Sequence, residues 1–77
     1  MRVSKSEKLA IASQSIESLV AFLTQTHGNT SEYWMRILLG TKLYRNVRNV
    51  KTGLWHESTM YLYDELLKEM NGGVLPV

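Results

Sequence analysis

Helix starts constrain this chain more than any other feature. Ser4-Lys5-Ser6-Glu7 and Asn29-Thr30-Ser31-Glu32 each place a short polar acceptor three residues ahead of a glutamate. At that spacing the acceptor takes a backbone N–H of the first turn while the carboxylate reaches back to the cap. Each tetrad stands before an apolar run of helical period. After the first, Leu9, Ala12, Ile16, Leu19, Val20 and Leu23 recur at three- and four-residue steps until His27-Gly28, which predicts a helix over residues 5–27. After the second, Tyr33, Ile37, Tyr44 and Val47 share a face, with Leu43 and Val50 beside them. That predicts a helix over 30–50, with Gly40 as its weak point and Lys51-Thr52-Gly53 as its stop. A third helix, over 54–71, would set Trp55, Thr59, Leu62, Leu66 and Met70 together before Asn71-Gly72-Gly73.

The expected fold class is therefore all-α: one small three-helix domain over residues 1–77, up-down-up, with residues 74–77 as a frayed tail. Its core would hold Leu9, Ile16, Leu19, Leu23, Ile37, Tyr44, Val47, Trp55, Leu62 and Leu66. The competing reading is α+β, with a short hairpin around residues 44–57 turning at Val50–Trp55, and Ser58 capping a shorter last helix. Helical spacing of Leu43, Val47 and Val50 favours the first reading, because strand alternation would group Tyr44 with Asn46 and Arg48.

Composition enters as a limit on chemistry. A chain of 77 residues without cysteine has no disulfide framework and no thiolate metal site, and its small core leaves it marginal alone, so a homo-oligomer is expected in a cytoplasmic setting. Residues 9–23 are too short and too polar for a membrane span. His56-Glu57 lacks a second histidine at zinc-protease spacing, and Leu39-Gly40-Thr41-Lys42 lacks the glycine spacing of a phosphate loop. His27 stands alone at a helix end. Asp64, Glu65 and Glu69, interleaved with Lys68, read as a solvated face. No catalytic residue, metal site or cofactor is assigned, and the chain is expected not to be an enzyme.

Two surpluses remain. From Leu9 to Thr26 the only charge is Glu17, as if both sides of the first helix met protein; Ile11, Ser15, Ser18 and Phe22 form a second row there, expected to mediate self-association through a two-fold dimer. The second helix would turn Trp34 and Leu38 away from its core face, alongside Lys42, Arg45 and Arg48. Residues 36–51 carry five positive charges and no acid, whereas residues 52–77 carry one base against four acids. These features predict a non-catalytic protein-binding module, a small regulator or inhibitor that meets an acidic or apolar patch of a larger protein through Trp34, Leu38, Lys42, Arg45 and Arg48. The alternative is nucleic-acid binding by the basic stripe of residues 36–51. A helix-turn-helix with Gly28 or Gly40 at its turn would need apolar residues where His27, Asn29 and Thr41 stand. No motif in the chain points to a family; small cysteine-free helical proteins of uneven charge include regulators of viral and mobile-element origin, an association from size and composition alone.

Overall fold

A computed structural model describes residues 3–70. The expectation of a frayed tail at 74–77 lies outside the described residues. Helix α1 spans Lys5–His27, α2 Ser31–Leu39, α3 Lys42–Arg48 and α4 Thr59–Glu69, with 3-10 turns at Val50–Thr52 and Leu54–His56 between α3 and α4. The all-α expectation holds. Among the described residues there is no strand, so the hairpin around 44–57 is absent, although its companion detail, Ser58 as the cap of a shorter last helix, is what α4 shows.

The first capping box forms as read: Ser4 Oγ accepts the Glu7 N–H at 3.2 Å and Glu7 Oε1 accepts the Ser4 N–H at 3.1 Å. The Ser4 backbone N–H, and after it the Ser4 hydroxyl, hold the exposed Glu7 carboxyl below its ordinary value. Helix α1 ends at Gly28, whose φ of 81° is open to glycine and strained for most other residues, and whose N–H reaches the Thr24 carbonyl. At the second start the cap is Thr30, not Asn29; Thr30 Oγ1 accepts the Tyr33 N–H, and Asn29 takes the left-handed conformation with φ 69°.

The expected helix over 30–50 is two helices. Gly40 and Thr41 interrupt it: Thr41 is extended, its hydroxyl donates to the Leu38 carbonyl at 2.6 Å and accepts the Tyr44 N–H at 3.1 Å, closing α2 and opening α3 with one side chain. The interruption resets the helical phase, which changes what is buried. In α2 the inward pair is Trp34 and Leu38; in α3 it is Leu43 and Val47; each pair is spaced by four. Trp34 and Leu38 are wholly buried, so the expectation that they face outward is overturned. Leu9, Ile37, Tyr44 and Trp55, expected in the core, are only half-buried.

Helix α1 lies at the centre and packs against α2, α3, α4 and both 3-10 turns. The core consists of Ala12, Ile16, Leu19, Val20 and Leu23 of α1 with Trp34, Leu38, Leu43, Val47, Leu62 and Leu66. Near-neutrality along α1 therefore has an intramolecular cause over most of its circumference.

Candidate interaction face

The residues expected to bind a partner separate. Lys42, Arg45 and Arg48 are exposed, as are Arg36 and Lys51. Trp34 is held inside: its indole N–H donates to the Gly28 carbonyl at 2.7 Å, and Tyr33 meets its ring edge-on with centroids 5.1 Å apart. The basic stripe consequently lacks the tryptophan that was to make it a hot spot. At the N-terminus of α3, the Glu69 carboxylate of α4 accepts the Lys42 N–H at 2.7 Å and the Leu43 N–H at 2.9 Å. A negative charge there neutralises the positive end of the helix and occupies the position from which a groove-reading helix addresses bases.

The expected self-association row is also mostly turned inward. Ser15 Oγ donates to the Trp55 carbonyl at 3.1 Å, and Phe22 packs edge-on against Tyr63 with ring centroids 4.9 Å apart. Ile11 is half-buried, and only Ser18 is exposed. Contact with the second 3-10 turn thus accounts for the small serine at 15, where the sequence pattern predicts the approach of a second chain.

The uncovered side of α1 is instead the row Ala10, Gln14, Glu17, Ala21 and Gln25, which is exposed and holds a single charge. Beside it lies a hollow of about 370 Å³ between α1 and α2, lined by Glu17, Val20, Ala21, Ser31, Glu32 and Met35. A second hollow of about 220 Å³, lined by Ser13, Ile16, Glu17, Met35, Tyr44 and Arg48, shares Glu17 and Met35 with the first. The two form one trough. Its floor is aliphatic, thioether and aromatic; one end carries Glu32, the other Arg48, whose guanidinium donates to Ser13 Oγ at 3.1 Å. Neither Glu17 nor Glu32 has an ion-pair partner among the described residues, where the ion pairs are those of Lys68 with Asp64 and Glu65. Those two acids, Glu65 foremost, raise the exposed Lys68 above its ordinary value.

Sequence reasoning missed the trough because Met35 and Tyr44 come from helices whose relative phase depends on the break at Gly40-Thr41. The available signal was the neutral stretch of α1, assigned to the wrong row. Both histidines are engaged structurally: His27 Nε2 and the Tyr63 hydroxyl lie 2.8 Å apart, and the His56 ring meets Trp55 edge-on. Among the described residues no three histidines or acids gather to hold a metal ion, and no helix is long and apolar enough to cross a membrane. No protein-family model matches the chain, and neither a curated protein nor a solved structure matches it.

Proposed function

We propose that this chain is a non-catalytic protein-binding module, a small intracellular regulator or inhibitor that acts by occupying a surface of another polypeptide, and that its docking face is the α1–α2–α3 trough. The observation that carries this reading is the pair of adjoining open hollows with an apolar floor between a carboxylate end and a guanidinium end. Protein interfaces have that anatomy: an apolar centre that excludes water, and polar groups at the rim that set register. An apolar side chain of the partner would sit over Val20, Ala21 and Met35, with a base near Glu32 and an acid near Arg48. Lys42, Arg45 and Lys51 lie outside the trough and steer an acidic partner by long-range attraction.

The nucleic-acid alternative rests on the same exposed cations, but the carboxylate on the α3 N-terminus and the seven-residue length of that helix count against it.

The test is a photo-crosslinking amino acid placed in cells at exposed Ala21, inside the trough, and at exposed Met60, outside it. A discrete protein adduct from position 21 that is absent from position 60, and is lost on Arg48→Glu, is the expected result. Equal adducts from both positions would refute the trough as the docking face. Duplex binding that weakens log-linearly and steeply with salt, and equally for unrelated sequences on Arg45→Ala, would favour the nucleic-acid alternative.

A further inference from the structure

We infer that the polypeptide filling the trough when this chain is alone is a second copy of itself, docked about a two-fold axis that crosses the trough near Glu17 and Met35. The inference rests on the trough being a protein-docking face and adds its occupant. A two-fold contact requires a surface complementary to itself, so each feature must find its complement at the symmetry-related place on the same surface. The trough meets that condition in charge. Glu32 marks one end and Arg48 the other, with Glu17 and Met35, common to both hollows, between them. An axis across the middle reverses the trough end for end, so Arg48 of each copy enters the other copy's acidic hollow, beside Glu32 and Glu17. An axis along the trough would set like end against like end and is excluded by the same charges.

The apolar part of the face is compatible with this arrangement. Antiparallel α1 helices would meet along the exposed row containing Gln14, Glu17 and Ala21, whose small and neutral members permit close approach. The two Glu17 carboxylates come nearest the axis, and each shares its hollow with the other copy's Arg48, so the like charges are not left facing one another alone. Arg48 keeps its bond to Ser13 or exchanges it for the carboxylate; either way the guanidinium stays at the trough end, and an ion pair closed off from water there is stronger than one on an open surface.

The experiment is sedimentation of four samples of the full chain at matched concentration: wild type, Glu32→Arg, Arg48→Glu, and an equimolar mixture of the two variants. Both substituted residues are exposed, so the folded monomer tolerates the changes, and circular dichroism of each variant verifies that. Wild type should sediment as a dimer. Each variant, which opposes like charges at both ends, should dissociate at least about tenfold more readily. The mixture should recover the dimer, because in the heterodimer the introduced arginine of one chain meets the introduced glutamate of the other, while the unaltered Arg48 and Glu32 pair at the opposite end. Recovery on mixing is a signature that loss of stability cannot produce. A wild type that stays monomeric at millimolar concentration refutes the second copy, and crosslinking from position 21 to a different protein would then leave the docking face standing with another occupant. A wild-type dimer indifferent to both reversals, or variants that dissociate without recovery on mixing, also overturns the inference.

Discussion

Trp34→Phe separates a core tryptophan from an interface tryptophan with one measurement. The residue is wholly buried, its Nε1 donates to the Gly28 carbonyl at 2.7 Å, and its ring packs on Tyr33 and His27. Phenylalanine keeps much of the apolar contact but removes the donor and part of the ring system. The lost hydrogen bond is worth about 1 kcal/mol, with no further penalty for a stranded acceptor because Gly28 is exposed and water reaches its carbonyl. The unfilled volume adds about 1–2 kcal/mol, for a total of about 2–3 kcal/mol. In a domain of this size each kcal/mol moves the melting point by about 4–8 °C, so a fall of about 8–24 °C is expected. Trp34→Ala should cost about 3–5 kcal/mol, comparable to the whole stability of a marginal domain. Urea and thermal unfolding followed by circular dichroism, with half-buried Trp55→Phe as the milder control, supply the test. A Trp34→Phe protein that unfolds at the wild-type midpoint would refute the burial and restore Trp34 as a candidate surface anchor.

Glu69→Ala removes the acceptor for two N–H groups at the start of α3 and should cost about 1–2 kcal/mol in urea unfolding, with Glu69→Gln losing roughly half of that because one oxygen remains. Gly53→Ala should cost about 1–2 kcal/mol by the same assay: φ is 75° there and the nearest atom to an added Cβ is 3.7 Å away, so the cost is backbone conformation and not collision. Glu7 should titrate by NMR below a free glutamate and move only part of the way back in Ser4→Ala, which removes the hydroxyl but keeps the backbone N–H that is the larger cause. Because its folded value is lowered, its contribution to helix α1 is present above the ordinary carboxylate range and disappears as pH falls through the lowered value.

How far the fold was legible depended on whether the stabilising partner lay nearby in the chain. The Ser4 box is closed by Glu7, three residues away, and the boundaries of α1 follow from residues within it. Thr41 has no such neighbour. Tyr44 stands where a box would need a carboxylate, and the carboxylate comes from Glu69, 27 residues further on from Lys42. Local pattern therefore showed Gly40 as a weak point without showing a complete stop and restart. Carrying one helical phase across that stop placed Ile37 and Tyr44 inside and Trp34 and Leu38 outside, whereas two independently phased helices bury Trp34, Leu38, Leu43 and Val47. The candidate site suffered from the same phase error. Its basic members stayed exposed, Trp34 and Leu38 moved into the core, and the trough formed between side chains that no single-helix pattern brings together.

Adjacent residues of α1 provide the sharpest separation of core from docking face. Ala21 and Phe22 differ by about 100° around the helix, so one can face the trough while the other faces α4. Phe22 meets the Tyr63 ring at 4.9 Å, and Tyr63 in turn lies within hydrogen-bonding distance of His27 at 2.8 Å. Phe22→Glu would drive a carboxylate into that aromatic contact and should cost about 2 kcal/mol or more of stability. Ala21→Arg acts on the opposite side: position 21 is exposed, arginine favours helix nearly as well as alanine, and no core contact is disturbed, so unfolding should shift by less than about 0.5 kcal/mol. The same arginine would fill the mouth of the larger hollow and should abolish docking there. If self-association ran through Ile11, Ser15, Ser18 and Phe22, the pattern would reverse, with Phe22→Glu yielding a stable monomer and Ala21→Arg leaving association untouched. Measuring unfolding and sedimentation on both variants therefore tests which row of α1 is core and which is open to a partner.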